Sequence, residues 1–401
     1  MNRTTKAIFV FVALFSMISV CSAEQNLSTA MQRYHDTWGG KNPADNEFYS
    51  SFRYQPAKGL GYEKGISRRD PSPIIKVGDT YYVYYTRTEQ GPKPVGYEKA
   101  DETTPANTWD LASIYYASST DTYSWTEQGL AVGRGPQGEF DDRSVFTPGI
   151  LVWKEKYYLY YQAVQSPFNQ RTRNVIGMSW ADSPEGPWHR FGQPVLQPGT
   201  PGVWKGDKID RSKISQEGAF DSLKVHDPYL LVRDGQIYLY YKAHPMGLAG
   251  DKALSYPDFS GGLAIAENPE GPFVKSPINP VLNSGHEVVL WPYKEGVAAL
   301  VTANGPEKNT IQWSPDGQNF EIKANIVLPP DAAGPYVPDA FTNTKDGKGI
   351  TWGLSHISQS KEKPWPHLIR FESDLTGAKN RKYKRENIRF GEESLFKAGK
   401  R

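Results

Sequence analysis

A hairpin-like pattern of 17 residues recurs along this chain and limits its fold more than any other feature of the sequence. Three copies align without gaps: DPSPIIKVGDTYYVYYT at 70–86, TPGILVWKEKYYLYYQA at 147–163 and DPYLLVRDGQIYLYYKA at 227–243. A looser copy occupies 287–303, and a degenerate fifth occupies 338–355. Each copy predicts a short apolar strand, a turn and a second strand rich in tyrosine or β-branched residues.

A second pattern follows each copy. IGMSWADSPEGPW at 176–188 and GLAIAENPEGPF at 262–273 are near duplicates, and weaker versions lie at 114–125, 311–320 and 367–377. Their Pro, Asp and Gly residues predict an outer hairpin with a tight turn. Two hairpins per unit and five units predict an all-β fold, a five-bladed β-propeller. A β-sandwich is the alternative, but it does not require both hairpins to recur five times.

The first 23 residues predict a secretory signal peptide that is not part of the fold. Arg3 and Lys6 precede an apolar run at 7–20, and small residues lead to a cleavage site after Ala23. The run is shorter than the roughly 20 residues that a membrane-spanning helix needs. We therefore expect export to the periplasm or the medium without a membrane span. Lipidation of Cys21, the only cysteine, is the alternative.

Residues 24–50 predict a short helical N-terminal extension ahead of a propeller domain at 51–401. The apolar residues of this extension fall at helical spacing: Leu27, Met31, Tyr34 and Trp38. Such an apolar stripe must be buried, either on its own subunit or on a partner.

The charges of the chain are nearly balanced. There are 46 basic and 44 acidic residues, and cleavage of the signal peptide removes two of the basic ones. The mature chain therefore has no net charge and no global basic field that would attract nucleic acid. We expect no nucleic-acid partner.

The repeat predicts a cluster of acids on the propeller axis. The innermost strand of each blade lines the central channel, and the first residues of these strands meet at one face. The leading residues of the five copies are Asp70, Thr147, Asp227, Glu287 and Asp339. Because like charges at close range are costly and shift pKa values, we interpret the cluster as functional.

The second strand of each copy predicts a polar rim around these acids. It returns antiparallel, so its end lies beside the start of the first strand. The rim residues are Thr86, Gln162, Lys242 and Thr302, with His244 and Asn304 just beyond. A rim of this kind over carboxylates fits a polyhydroxylated substrate, and we predict the substrate-binding residues to be Thr147, Gln162, Lys242 and His244.

The sequence GHEVVLW at 285–291 begins like the zinc-protease motif H-E-x-x-H, but its fifth position is Leu290. One helix face cannot then supply two zinc ligands. His286 and Glu287 therefore need another role.

Three segments resemble glycoside hydrolase family 117, the α-1,3-L-neoagarooligosaccharide hydrolases: SRRDPSPIIKVGDTYYVYYT at 67–86, VHDPYLLV at 225–232 and GHEVVLW. The resemblance extends over the blades and the N-terminal extension. It implies an exo-acting, inverting enzyme that releases 3,6-anhydro-L-galactose from the non-reducing end of an oligosaccharide substrate. It also implies a homodimer formed through the N-terminal helix and a divalent cation near the acidic cluster, a cofactor that the sequence itself does not require.

The same resemblance implies the catalytic roles. Asp70 would be the general base and His286 the general acid, with Asp227 and Glu287 as supporting carboxylates. Inversion needs an acid and a base on opposite sides of the sugar, roughly 6.5–9.5 Å apart, and nearby carboxylates favour the protonated imidazole. Neighbours on a regular strand face opposite sides. His286 and Glu287 can therefore share the site only on an irregular lead-in, which Gly285 permits.

Two other functions remain open from the sequence. In arabinanase- and fructosidase-like five-bladed glycosidases a glutamate is the general acid, so Glu287 would donate the proton and His286 would only orient the sugar or the carboxylate. A non-catalytic glycan-binding propeller would bind the sugar and release no product.

Overall fold

The computed structural model describes residues 27–32, 46–88, 93–207, 213–247, 255–357 and 363–373. Within these ranges the chain forms twenty-four β-strands and one helical turn at 29–32. Five sheets of four or five strands, together with one two-stranded hairpin, confirm the predicted five-bladed β-propeller. In the same ranges no helix is long and apolar enough to cross a membrane.

The blades follow one another along the chain. Blade I consists of β2 (Ser67–Arg69), β3 (Ile75–Val77), β4 (Thr80–Thr88), β5 (Ser113–Ser119) and β6 (Thr126–Val132). Blade II consists of β7 (Ser144–Trp153), β8 (Lys156–Val164), β9 (Val175–Ala181) and β10 (His189–Arg190). Blade III consists of β13 (Lys224–Arg233), β14 (Gln236–His244), β15 (Ser260–Ala266) and β16 (Val274–Lys275). The hairpin of β11 (Val203–Trp204) and β12 (Ile214–Gln216) separates blades II and III in sequence.

The last two blades are less regular. Blade IV consists of β17 (Val288–Lys294), β18 (Gly296–Val301), β19 (Thr310–Ser314) and β20 (Glu321–Asn325), with β22 (Gly347–Lys348) paired to the inner strand. Blade V consists of β21 (Gly334–Pro335), β23 (Trp352–Ile357), β24 (His367–Ser373) and β1 (Phe52–Pro56). Its outermost strand therefore comes from the N-terminal side of the propeller. The pairing of Phe52 with Ser373 through Pro56 with Ile369 closes the ring.

The repeat copies superimpose only if the first copy is allowed one extra residue before its turn. The hairpin of copy 1 turns between Val77 and Thr80, and that of copy 2 between Trp153 and Lys156. Copy 1 therefore has one more residue before its turn, so the gapless alignment was wrong at that point. With this correction Thr86, Gln162 and Lys242 occupy the same place, each paired with the residue before the leading one.

Tyrosines in the second strand of blades I to III tie each blade to the next. Each hydroxyl donates a hydrogen bond to a carbonyl in the outer turn of the following blade: Tyr84 to Pro184 (2.5 Å), Tyr160 to Pro269 (2.7 Å) and Tyr240 to Gly317 (2.7 Å). Burial raises the pKa of these tyrosines well above their usual 10, so the hydroxyls remain donors. These bonds account for one tyrosine of each Tyr-Tyr pair and for the Pro-containing turns in the repeat.

The neighbouring tyrosines face the other side of the sheet and bind a charged pair within their own blade. In blade II, Tyr161 donates to Asp141, which also receives two hydrogen bonds from Arg190 of the outer strand (2.7 and 2.5 Å). In blade III, Tyr241 and Lys275 bind Asp221 in the same way.

Blade I has the same arrangement with the charges exchanged. There Tyr85 donates to Glu127 of the outer strand, and the cation is Arg68 of β2, with 2.9 Å between Nε and Oε2. The charged pair thus fastens the lead-in of the inner strand to the outer strand in three blades.

Replacing Arg190 by methionine is expected to lower the free energy of unfolding by about 3–5 kcal/mol, because the fully buried Asp141 carboxylate would lose its only cationic partner among the described residues. Chemical denaturation measures the change. The matched control, Lys156→Met, removes an exposed partner of Asp182, and such surface pairs contribute little. Equal losses in the two variants would contradict the assignment of Arg190 as a buried-pair partner.

The first residues of the fifth sequence copy do not form the inner strand of blade V. That strand is β21, and the segment after it crosses the far end of the channel, where the Val232 N–H donates to the Ala340 carbonyl and β22 pairs with the end of β17. Phe341 packs there against core clusters that together include residues of all five blades. This segment therefore plugs the end of the channel opposite the leading residues.

At the N-terminus, the turn at 29–32 is capped by Ser28. Its hydroxyl accepts a hydrogen bond from the Met31 N–H (3.2 Å), and its carbonyl accepts one from Gln32 (2.9 Å). Tyr34, Trp38 and the signal peptide lie outside the described residues, so the extent of the helix and the leader remain predictions. The predicted domain boundaries are likewise not tested.

Candidate active site

The leading residues of blades I to III share the same strained backbone conformation. Asp70, Thr147 and Asp227 have φ values of 49, 45 and 51°, in the left-handed region that non-glycine residues seldom adopt. Each is followed by a proline, which cannot donate a ladder hydrogen bond. In blades II and III the strand register shifts at this point. The bulge lifts these three side chains out of the sheet, and strain of this kind is typical of functional sites.

Blade IV reaches the same place by a different route. Gly285 has a φ of 114°, and β17 begins only at Val288. His286 and Glu287 therefore precede the regular strand, as the sequence required if both were to face the site. The His286 N–H donates to the Thr302 carbonyl, and the Thr302 hydroxyl donates to the Glu287 carbonyl, which fixes this irregular turn.

A cavity of about 290 Å³ opens at this face of the propeller. It is lined by all eight predicted site residues: Asp70, Thr147, Gln162, Asp227, Lys242, His244, His286 and Glu287. Thr86 lies behind the lining, where its hydroxyl accepts a hydrogen bond from the Thr147 N–H (2.7 Å).

Asp339 was wrongly placed in this cluster. Its carboxylate accepts a hydrogen bond from the Lys348 N–H at the plugged end of the channel. The error arose because the inner strand of blade V begins at Gly334, ahead of the degenerate copy. Asp331, three residues before β21, is the acid of blade V near the site, and its pKa is raised by burial and by the charge of Glu287.

Asp70 is held as a carboxylate by its neighbours. Arg69 makes two contacts to it, at 2.8 and 3.2 Å, and Thr147 donates to it at 3.4 Å. His356 Nδ1 lies 3.1 Å from Oδ1. Burial alone would raise the pKa of Asp70, but Arg69 and His356 outweigh it and hold the pKa well below its usual range.

Asp227 and Glu287 share one cation. The Lys242 ammonium contacts the Asp227 carboxylate directly, and its charge also acts on Glu287. Burial alone would raise the pKa of both acids, but Lys242 holds that of Asp227 well below its usual range. For Glu287, whose Oε1 lies 2.5 Å from His286 Nδ1, the charges of His286 and Lys242 lower the pKa. Both acids are thus ionised in the neutral range.

A row of rings forms one wall of the cavity. Centroids lie 4.7 Å apart for His226 and His244, 4.6 Å for His244 and Phe259, and 5.6 Å for Phe259 and His286. Across the cavity the Trp109 ring stacks on the Arg69 guanidinium at 4.6 Å. The site therefore offers apolar faces to a ring-shaped ligand beside its charged groups.

His226 lines the cavity and holds Gln162, another lining residue, in place. Its Nδ1 lies 3.2 Å from Gln162 Oε1 and 3.3 Å from Asp227 Oδ1, and both oxygens accept hydrogen bonds. Burial lowers the pKa of His226 to about 3, and Lys242 adds to the effect, so the ring is neutral and its proton lies on Nδ1. Nε2 is buried without a hydrogen-bond partner in the described part of the chain.

Several of these residues were not predicted from the sequence. Arg69 and His226 each directly precede a leading aspartate, so the repeat did carry a signal for them. Trp109, Phe259 and His356 come from segments outside the aligned copies, where no pattern pointed to the site.

The donor set does not fit the divalent cation that the family resemblance implies. Among the described residues, no group of three or more His, Cys, Asp or Glu side chains is placed to hold a metal ion. Asp70 and Asp227 each already contact a cationic side chain. The cation stays a prediction, and no step below uses one.

Comparison with known proteins agrees with this fold. The profile of glycosyl hydrolases family 43 matches residues 65–220. Zg3597, a family 117 glycoside hydrolase produced by the marine bacterium Zobellia galactanivorans, is 42% identical, with a TM-score of 0.71. The similarity covers 83% of this chain and 92% of that one.

More distant structures share the fold alone. BT0996, solved as an RGII complex, is 13% identical over 86% of this chain and 96% of its own, with a TM-score of 0.55. A further glycoside hydrolase is 12% identical over 91% and 98%, also with a TM-score of 0.55. Among curated proteins, none matches the chain.

Proposed function

The chain belongs to glycoside hydrolase family 117, and from this premise we propose that it is an exo-acting, inverting hydrolase of neoagarooligosaccharides. In this proposal it releases 3,6-anhydro-L-galactose from the non-reducing end. The observation that carries the proposal is the meeting of Asp70 from blade I with the His286–Glu287 pair from blade IV in one cavity. A base and an acid that flank a pocket are what inversion requires.

Asp70 acts as the general base. Arg69 and His356 keep it ionised, so that it can take a proton from a water molecule attacking the anomeric carbon. Thr147, which donates to the same carboxylate, helps to orient it.

His286 acts as the general acid and Glu287 as its partner. The Glu287 carboxylate contacts Nδ1 and orients the ring, which leaves Nε2 as the nitrogen that protonates the leaving oxygen. The side chain of His286 is 38% exposed, so it can regain its proton from solvent after each turnover. Glu287 is 12% exposed and its pKa is lowered, which disfavours the alternative in which it donates the proton itself.

Asp227 and the polar lining position the sugar. Gln162, Lys242 and His244 lie where they can bind its hydroxyls, and Asp227, which Lys242 keeps ionised, can stabilise positive charge that develops on the ring. Because the channel is plugged at its far end, the pocket is open at one face only. This shape suits the end of a sugar chain rather than its middle.

Incubation with neoagarobiose tests the proposal. We expect release of 3,6-anhydro-L-galactose by chromatography, with the first-formed anomer inverted in time-resolved NMR. A product of retained configuration would contradict the base and acid roles. Binding without any product would favour the glycan-binding propeller instead.

Replacing His226 by phenylalanine is expected to raise KM for neoagarobiose about 3- to 10-fold, because Gln162 in the cavity lining would lose the hydrogen bond from Nδ1 that positions it for the sugar. Initial-rate kinetics measure the change. The control is His189→Phe, an exposed histidine on the outer strand of blade II, which should leave KM unchanged. An unaltered KM in His226→Phe would show that this hydrogen bond does not position a substrate contact.

We also propose that the chain is exported after cleavage near Ala23 and forms a homodimer through its N-terminal extension. Met31, 43% exposed on the helical turn, supports an apolar surface in need of a partner. Light scattering of the mature chain should give a dimer, and Met31→Glu should shift it towards the monomer. A monomer before substitution would contradict the dimer.

A further inference from the structure

A second cavity, of about 330 Å³, lies over blade I on the same face as the active site. It is bounded by Thr88 at the end of β4, Ser113 at the start of β5, and Arg134 just beyond β6. Trp365, which leads into β24 of blade V, forms another side. All four positions lie at the end of the sheets where Thr86 supports the leading residues.

The lining is not that of an ordinary packing gap. A gap between a loop and a sheet is closed by apolar side chains and paired charges. Here the half-buried Trp365 ring has no aromatic or cationic partner, and the exposed Arg134 has no ion pair, in the part of the chain that the structure describes. Thr88, Thr103 and Ser113 line the same space. An indole face with convergent polar groups is typical of a small-ligand site.

One residue separates this cavity from the active site. Thr108 lines the second cavity, and its hydroxyl accepts a hydrogen bond from Arg69 Nη1 (2.9 Å). The next residue, Trp109, lines the catalytic cavity and stacks on Arg69. Arg69 in turn binds Asp70. A sugar chain held in the second cavity would therefore lie beside the catalytic pocket.

We propose that this second cavity is an accessory glycan-binding site that holds one sugar ring of a galactan oligosaccharide against Trp365. The indole takes the apolar face of the ring, while Arg134 and the surrounding hydroxyls bind its oxygens. A neutral or partly anionic sugar suits this lining, because Asp110, the only acid among the described lining residues, is already paired with Arg143. The choice of a galactan rests on the proposed function; the sugar site itself rests on the cavity.

Fluorine NMR of protein labelled with 5-fluorotryptophan tests this site and the active site separately. Trp365→Phe and Trp109→Phe assign two of the eleven tryptophan signals. Neoagarohexaose is then titrated into the Asp70→Asn variant, in which turnover is blocked. The Trp365 signal is expected to shift to saturation with its own midpoint. Arg134→Gln should weaken that midpoint about 3- to 10-fold, the value of one hydrogen bond, and leave the Trp109 midpoint in place.

Arg53→Gln is the matched control, an exposed arginine on blade V that should change neither midpoint. A Trp365 signal that stays fixed up to about 10 mM sugar, tenfold above a weak 1 mM dissociation constant, overturns the inference whether or not Trp109 responds. A moving Trp365 signal supports the accessory site even where Trp109 stays fixed and the unsubstituted protein forms no product from the same sugar. That last result would contradict the proposed hydrolase alone.

Discussion

Replacing Asp70 by asparagine is expected to lower kcat for neoagarobiose by about 100- to 10,000-fold, the usual contribution of a general base. The loss follows because the amide cannot take a proton from the attacking water. Asparagine tolerates the left-handed backbone at this position, so the bulge should persist. Initial rates measure the loss, and circular dichroism checks that the variant folds.

Asp339→Asn is the matched control for this experiment. From the sequence alone Asp339 heads the fifth repeat and would belong to the same cluster, but in the structure it lies at the plugged end of the channel. We expect its kcat to match that of the unsubstituted protein. If Asp339→Asn lost as much activity as Asp70→Asn, the site would have to be placed elsewhere.

The second large effect separates the roles of His286 and Glu287. His286→Ala should lower the rate on neoagarobiose by about 100- to 10,000-fold, because the leaving oxygen would no longer receive a proton. An aryl glycoside of 3,6-anhydro-L-galactose has a leaving group that needs no proton. Its hydrolysis by His286→Ala should therefore be close to normal. The ratio of the two rates is the measurement.

Glu287→Gln should be slow on both substrates. The buried carboxylate contacts His286 and lies beside Lys242 and Asp227, so its loss disturbs the whole site rather than proton donation alone. The opposite pattern, in which the aryl substrate restores Glu287→Gln but not His286→Ala, would make Glu287 the general acid. The enzyme would then resemble the arabinanase-like alternative.

The fold could be predicted because each blade repeats the same local chemistry. Tyr160 and Tyr161 face opposite sides of one strand, and each has a required partner, one in the next blade and one in its own. Because each tyrosine has its own partner, both are required, and the Tyr-Tyr pattern is recognisable in the sequence. The leading residues were predictable for a similar reason, since the proline after Asp70, Thr147 and Asp227 marks the bulge.

The prediction failed where the chain leaves the repeat. Blade V has an inner strand of two residues, too short to carry a periodic pattern. Asp339 was therefore predicted as its leading residue, and Asp331 was missed. Trp109 and Phe259 enter the cavity from loops, and no spacing rule connects a loop residue to a distant pocket. The neutrality of His226 depends on burial by residues far apart in the chain, which only the folded protein brings together.

The ring of blades can close only after nearly the whole propeller has been synthesised. Of the described strands, β1 leaves the ribosome first, yet its partner β24 is the last to appear. Until β24 is made, the side chains of Phe52 and Tyr54, both buried in the folded protein, remain exposed to solvent. The edge of β1 is also unpaired, and another copy of the chain can pair with it. A product truncated ahead of residue 367 would keep that edge permanently and would be prone to self-association.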